Sequence, residues 1–224
     1  LIVISEPAFP SFGGNVGLSQ SMFTGFATNL RIVKGTGVYG TSSFSVPTSQ
    51  LTSTGSQTKY LLLCTNGSVI DNTMKNNLIT YSNTQIDTSV IKFGTGSIKF
   101  DGSDVLRYDG NLGMAIGTGP FTVECFVYFN GDPNNGGTNG QASIIRGGGA
   151  DFVIQRYDGE WEVGNEPTPQ IQVVQSLSNQ TWYHVAMTRD SSNNLRLFID
   201  GTQQGSTATS YTTDFNENKW HFGN

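Results

Sequence analysis

Apolar residues recur along this chain in short runs with a period of two, broken every ~8–12 residues by polar or glycine-rich stretches. The alternation is clearest in Phe121-Thr-Val-Glu-Cys-Phe-Val, which places Phe121, Val123, Cys125 and Val127 on one face of a strand. Leu195-Arg-Leu-Phe-Ile repeats it, with Leu195, Leu197 and Ile199 inward. The same reading predicts strands at residues 1–4, 16–19, 23–34, 60–64, 78–81, 97–100, 105–108, 121–129, 142–145, 151–155, 160–163, 170–174, 183–189, 195–200 and 219–222. Asp158-Gly159 and Asp200-Gly201 are two-residue hairpin signals. Many short strands with regular turns predict an all-β sandwich or jelly roll.

Composition narrows the class further. Charged residues make up 13% of the 224, against a usual figure of about 25%. With 28 glycines the chain is suited to turns, not to coiled coils or long helices. A net charge of −5 argues against a phosphate-binding surface, so nucleic acid is not an expected partner. No apolar run approaches the ~18 residues of a membrane helix, and membrane is not an expected partner either. Cys64 and Cys125 sit inside apolar strand patterns, which favours buried free thiols; a disulfide, which needs Cα atoms within about 7 Å, stays open because sequence does not fix that distance. His184 and His221 are far apart and no CxxC occurs, which argues against zinc.

Five segments follow one known order. They are Leu61-Leu62-Leu63, Phe93-Gly-Thr-Gly-Ser-Ile-Lys-Phe-Asp-Gly-Ser, Gly119-Pro-Phe-Thr-Val-Glu-Cys-Phe-Val-Tyr, Thr181-Trp-Tyr-His-Val-Ala-Met-Thr-Arg-Asp and Leu195-Arg-Leu-Phe-Ile-Asp-Gly. The order resembles the concanavalin-A-like, laminin-G-like jelly roll, a sandwich of two antiparallel sheets. Phe23-Thr-Gly-Phe-Ala-Thr-Asn-Leu-Arg-Ile-Val-Lys-Gly-Thr-Gly-Val-Tyr resembles that family's closing strand and the turn after it. In the family this segment stands last; here it stands first. The wording of the motifs is most similar to copies in phage and phage-like virion proteins.

The displaced order gives residues 1–46 the part of closing strands and 47–58 that of a linker. Residues 59–224 become a laminin-G-like jelly roll lacking its last strands. The closing strands could complete a preceding tandem copy, a neighbouring chain's sandwich, or their own sandwich in a permuted order. The twelve residues of 47–58 span roughly 40 Å when extended, so closure within the chain is geometrically open. A sandwich short of strands presents unpaired edges that call for a partner. In every case the stretch around Leu30 and Ile32 is expected to hydrogen-bond into a two-layered sandwich.

Candidate chemistry is sparse. Retaining glycosidases need two carboxyl groups about 5–5.5 Å apart, and glucanases share this fold by resemblance. Glu160-Trp161-Glu162 places two acids at i and i+2, with Glu166 four further on, but no Glu-x-Asp-x-x-Glu stretch occurs. The reading is therefore no enzyme and no catalytic residue. Gly35-Thr-Gly-Val-Tyr-Gly40 matches GxGxxG without a helix to follow, and Arg146-Gly147-Gly148-Gly149 reads as a turn or bulge. Gly-x-Ser-x-Gly is absent, and His184 is expected to make a structural hydrogen bond. Asn66 and Asn179 begin glycosylation acceptor triplets, meaningful only in a secreted eukaryotic protein.

Two binding sites are expected. Asp101, Asp104 and Asp109 cluster in sequence, and the resemblance implies a structural calcium ion at such a turn. Thr28 and Asn29 stand where the family's closing strand often carries acids, which weakens that implication. Calcium is the only cofactor candidate. For sugar, Trp161 and Tyr157 flank a hairpin and supply an aromatic platform, with Asp132, Asn134 and Asn135 from the polar loop 131–140. Trp182 and Trp220 are expected in the core. These residues describe a non-catalytic structural or adhesive module. The resemblance places it on a virion surface, tail or fibre, or outside a cell, in contact with copies of itself, other virion subunits or host glycans. A carbohydrate-binding module and a remnant of a glycan-cleaving enzyme are the alternatives.

Overall fold

Alternating strands that bury one face must stack on a second sheet, and the computed structural model shows that arrangement. It describes residues 24–40, 43–64, 69–71, 78–109, 115–134, 141–148, 152–217 and 219–223, with backbone only at 69–71 and 109. The strands expected at 1–4 and 16–19 lie outside the described residues.

Among the described residues sixteen strands follow in order: β1 (Thr24–Lys34), β2 (Thr58–Cys64), β3 (Val69–Asp71), β4 (Leu78–Tyr81), β5 (Gln85–Asp87), β6 (Ser97–Asp101), β7 (Val105–Asp109) and β8 (Phe121–Phe129). The rest are β9 (Gln141–Gly147), β10 (Val153–Tyr157), β11 (Glu160–Gly164), β12 (Pro169–Val174), β13 (Trp182–Arg189), β14 (Leu195–Ile199), β15 (Thr202–Ala208) and β16 (Lys219–Phe222). One sheet has nine strands, ordered β15-β14-β13-β8-β1-β2-β3, with β6 also paired to β1 and β5 to β6. The other has seven, ordered β12-β11-β10-β9-β16-β7-β4. All named strand pairs are antiparallel. The fold is the all-β jelly-roll sandwich that the strand pattern predicts.

The inner faces meet in one core. Phe121, Val123, Cys125 and Val127 point into it, as do Leu195, Leu197 and Ile199. Opposite them lie Ile144, Phe152, Ile154, Trp161, Val163, Trp220 and Phe222 from the seven-stranded sheet. Burial of such side chains is worth about 1.5–3 kcal/mol each, which makes the core the main source of stability. Both cysteines are buried free thiols. Burial pushes the Cys64 thiol up to about 11, so it is an inert core residue.

β1 sits in the middle of the nine-stranded sheet of its own chain. Leu30 pairs with Leu62 and Ile32 with Tyr60 on one side, and Ile32 with Val123 on the other. Between Thr28, opposite Phe126, and Arg31, opposite Glu124, β1 carries one residue more than β8. This is a β-bulge, and Asn29 adopts φ +60° there. Asn tolerates that left-handed conformation better than most residues. Its Oδ1 accepts a hydrogen bond from the Leu51 amide at 3.0 Å, so the bulge also anchors the segment that follows.

The described residues of that segment, 35–40 and 43–57, form a strap, which takes in most of the stretch expected as a linker at 47–58. It crosses the outer side of the nine-stranded sheet. Gly35 N donates to Pro120 O, Val38 N to Thr122 Oγ1 and Phe44 N to Gly201 O. Arg31 Nη1 reaches Thr52 O at 3.0 Å, and Leu51 is buried. A short 3-10 turn, Gly55–Gln57, then leads into β2. The strap is held by backbone and side-chain hydrogen bonds, which leave no hydrophobic periodicity in its sequence. The GxGxxG match lies in this strap, and among the described residues no α-helix follows it. At the Asp200-Gly201 turn both residues have positive φ, +49° and +76°, and a Cβ on Gly201 would collide with Phe44 O.

Candidate functional site

Side chains alternate across each strand, so every strand has an outward set as well as a core set. In the seven-stranded sheet the Asp158-Gly159 turn fixes which residues share a face. Both turn residues have positive φ, +44° and +84°, as a tight two-residue hairpin requires. Tyr157 therefore pairs with Glu160, Gln155 with Glu162, and Arg156 with Trp161. The first two pairs point outward and the third points into the core.

The outward rows extend across neighbouring strands. Gln141, Tyr157, Glu160 and Val174 form one row; Ser143, Gln155, Glu162 and Gln172 form the next. The second is a hydrogen-bonded ladder. Gln172 Nε2 donates to Glu162 Oε1 at 2.8 Å, and Gln155 Nε2 to Glu162 Oε2 at 2.7 Å. Gln155 Oε1 accepts from Gln141 Nε2 at 2.6 Å and from Ser143 Oγ at 3.2 Å. Gln141 Nε2 also reaches Glu166 Oε1 at 2.9 Å, and Arg146 Nη2 donates to Glu166 Oε2 at 2.5 Å. Gln155 and Ser143 are buried within the ladder, while the β12 side is open. Tyr157 is 41% and Val174 75% exposed, and Gln172 is exposed between them and Glu162.

An exposed aromatic ring, an exposed aliphatic residue and a row of oriented amides and carboxylates can together bind a saccharide. The C–H face of a sugar stacks on the ring, and its hydroxyls exchange hydrogen bonds with the ladder. Both carboxylates, Glu162 and Glu166, are held by amide or guanidinium donors, and Glu160 stands at the turn.

The structure redistributes the sequence candidates. Tyr157 is outward and exposed as a platform should be. Trp161 is fully buried and offers no face to a sugar. Its Nε1 donates to Gln175 Oε1 at 2.9 Å, and the Arg156 guanidinium lies 5.1 Å from its ring centroid. Arg156 itself is buried against carbonyls of Pro133 and Gln175, and burial brings it down to about 10. Asn134 fastens two loops together. Its Oδ1 accepts from Leu177 N at 2.9 Å and its Nδ2 donates to Leu177 O at 2.9 Å. Asp132 is exposed and caps the turn by accepting from Asn134 N. Asn135 lies outside the described residues. Trp182, expected in the core, is half-buried on the outward side, whereas Trp220 is fully buried.

The acidic cluster does not converge. Asp101 and Asp104 flank the β6–β7 turn, but Asp109 ends β7, roughly 16 Å further along the strand. Asp101 Oδ1 accepts from Ser103 N and Oγ. Asp104 accepts from Asn83 N at 3.0 Å and Asp101 N at 3.1 Å. Burial raises the Asp104 carboxyl above its ordinary value, while the Ser103 hydroxyl and amide hold Asp101 below. Among the described residues no three His, Cys, Asp or Glu side chains gather as metal ligands. The pair serves as a turn cap, and its donors do not fit a calcium site.

The outer side of the nine-stranded sheet carries a different arrangement. Arg31 on β1, Glu124 on β8 and His184 on β13 lie side by side under the strap. Glu124 Oε1 accepts from Arg31 Nε at 2.7 Å and also from Arg31 Nη2, and its Oε2 contacts His184 Nε2 at 3.0 Å and the Tyr39 hydroxyl. Glu124 and His184 are fully buried. Burial alone would raise the Glu124 carboxyl, but the His184 hydrogen bond and the Arg31 charge bring it below its ordinary value. Burial and the Glu124 charge push the Tyr39 hydroxyl far up. Phe44 stacks on Tyr39 with centroids 3.6 Å apart and closes the cluster. Past the strap, Phe26, Tyr128 and Trp182 form a cross-strand aromatic row with centroids 5.4 and 5.5 Å apart.

Comparison with known proteins gives one family. The model described as the concanavalin A-like lectin/glucanases superfamily, Laminin_G_3, matches residues 99–224, more than half of the chain. No curated protein sequence matches. Among solved structures, the binding domain of Paraclostridial Mosquitocidal Protein 1 is similar at 15% identity and TM-score 0.56, covering 73% of this chain and 43% of that one. The binding domain of botulinum neurotoxin DC in complex with rat synaptotagmin II has 15% identity, TM-score 0.52 and coverages of 70% and 41%. The botulinum neurotoxin serotype D ligand binding domain in complex with N-acetylneuraminic acid has 13% identity, TM-score 0.51 and coverages of 70% and 40%. At these identities the likeness is one of fold, and the chain spans about two fifths of the structures it matches.

Proposed function

The chain belongs to the concanavalin A-like lectin/glucanases superfamily, and from that premise we propose that it is a non-catalytic adhesive module contacting glycans through the outer face of its seven-stranded sheet. The observation that carries this reading is the open row of Tyr157, Glu160 and Val174 beside the Gln172–Glu162–Gln155–Gln141 ladder. The ring supplies the stacking surface and the ladder fixes hydroxyl positions. The similar structures are binding domains, one with a protein receptor and one with a sugar acid, which supports binding over catalysis. Non-catalysis is further supported by the engagement of Glu162 and Glu166 with amides and Arg146.

The setting belongs to the same proposal: a virion surface, tail or fibre, or another extracellular position, where the module meets host glycans and copies of itself. Its support is the likeness of the sequence motifs to phage-like virion proteins. Edge strands β12, β4, β15 and β3 are the places where sheet contacts with another copy would form.

A glycan array probed with the natural chain and with Tyr157→Ala tests the reading. Binding is expected for the first and a loss of tenfold or more for the second, since ring stacking is concentrated in one residue. Equal binding by both would remove this face from the proposal.

A further inference from the structure

Resting on that reading, we propose that the site selects uncharged, hydroxyl-rich saccharides and rejects those bearing a carboxylate. The face is negative. Glu160, half-buried, stands in the row of Tyr157, Glu162 lies buried in the next row, and Glu166 reaches the ladder through Gln141. Arg146, on β9, donates to Glu166 at 2.5 Å. The Arg156 side chain points from the opposite side of β10 into the core, where carbonyls of Pro133 and Gln175 hold it. Arg107, Lys219 and His221 belong to β7 and β16, beyond β9, and Arg107 lies 4.6 Å from the Tyr81 ring centroid. A carboxylate placed over Tyr157 would lie beside Glu160 and above the Glu162 row, while Arg146 and Arg156 are engaged with Glu166 and with backbone carbonyls.

The donor and acceptor balance points the same way. Each Glu162 oxygen accepts one amide hydrogen bond, which leaves lone pairs for hydroxyl donors. The Gln172 amide donates to Glu162, which aims its carbonyl oxygen away from that carboxylate. The face therefore offers mainly acceptors, and a neutral sugar, rich in hydroxyl donors, is the complement. Repulsion between unit charges several ångströms apart near a surface is expected to weaken an acidic ligand by about tenfold.

The test is titration calorimetry with a neutral oligosaccharide found on the array and the same oligosaccharide carrying a terminal sialic acid. The neutral ligand is expected to bind about tenfold more tightly at low salt, with the gap closing in 1 M salt, where the Debye length is about 3 Å. The double variant Glu160→Gln plus Glu162→Gln, checked for an unchanged melting temperature, is expected to shrink the gap at low salt. Equal or tighter binding of the sialylated ligand overturns the selectivity and leaves glycan binding standing. A salt-independent gap also overturns it, since exclusion would then be steric. Binding of no saccharide at all overturns the functional reading itself.

Discussion

The outward faces of the two sheets are built by the same alternation and carry the same kinds of residue, yet they reach opposite ends. On the nine-stranded sheet, Glu124 is buried beneath the strap with Arg31, His184 and Tyr39 around it. On the seven-stranded sheet, Glu162 lies among glutamines beside exposed Tyr157 and Gln172. A carboxylate taken from water must have its charge compensated, so Glu124 is matched by a guanidinium. Glu162 is 7% exposed, next to the exposed Gln172, and amides alone hold it. One face fastens the molecule, and the other is available to a ligand. Coverage by the strap, not residue type, decides which.

Glu124→Ala should separate the faces most sharply. Removing one partner of a buried pair leaves the Arg31 charge uncompensated, and a loss of about 3–5 kcal/mol is expected in urea unfolding. Glu162→Gln, whose partners are neutral amides and leave no charge uncompensated, should cost only about 1 kcal/mol, the scale of one buried hydrogen bond. Comparable losses in the two variants would contradict the contrast.

Acid should act on the same buried carboxylate. Its folded pKa lies below the unfolded value of about 4.3, so its contribution is fully present above that value and disappears as pH falls through the folded one. Asp190 works in the same direction. Burial opposes its ionisation, but hydrogen bonds from Arg196 and Asn194 outweigh that and bring it to about 2. Asp104, raised by burial, works in the opposite direction. Stability should therefore fall from about pH 5 downward. Glu124→Gln, measured by thermal melts across that window, should start lower at neutral pH and fall less steeply. Parallel curves for the two proteins would assign the acid limb to other carboxylates.

A smaller effect is expected at the bulge. Asn29→Ala places a less tolerant residue at φ +60° and deletes the acceptor for the Leu51 amide. The expected loss is about 1–2 kcal/mol, from one buried hydrogen bond together with backbone strain. Limited proteolysis should show faster cleavage within 47–58 than in the parent. Unchanged cleavage would mean that Arg31 and the remaining strap contacts suffice.

Much of this molecule could be read before its structure was known, and the failures have physical reasons. Central strands such as β8 and β14 declared themselves because both neighbours and the opposing sheet enforce alternation. β15, with the sequence Thr-Gln-Gln-Gly-Ser-Thr-Ala, was not visible because an edge strand needs no apolar face. Its Gly205 sits at φ +67°, where a Cβ would press on Val173. β3 and β5, three residues each, are too short to show a period. The candidate site was half legible. The Asp158-Gly159 turn was recognised, and its register already implies Tyr157 opposite Glu160 and Gln155 opposite Glu162. Carrying that register one step further would have turned Trp161 inward and left Tyr157 as the ring on the surface. The ladder partners Gln141, Gln172 and Arg146 come from other strands, and only the sheet order brings them in.

The smallest effect concerns the Asp101–Asp104 turn, where a cation was expected on the strength of family likeness. Carboxylates that bind calcium must direct several oxygens at one point. Here Asp104 faces the Asn83 and Asp101 amides, Asp101 faces Ser103, and Asp109 belongs to the far end of β7. Millimolar calcium should therefore leave the melting temperature within about 1 °C of its value in EDTA, a shift far below that expected of a bound ligand. Asp104→Asn, by contrast, should still cost stability in both buffers, because a buried carboxylate that accepts two backbone amides is replaced by a group carrying two N–H donors of its own. A calcium-dependent rise of several degrees, abolished by Asp104→Asn, would show that the turn gathers oxygens these contacts do not reveal, and would move the acids of this edge from structure to binding.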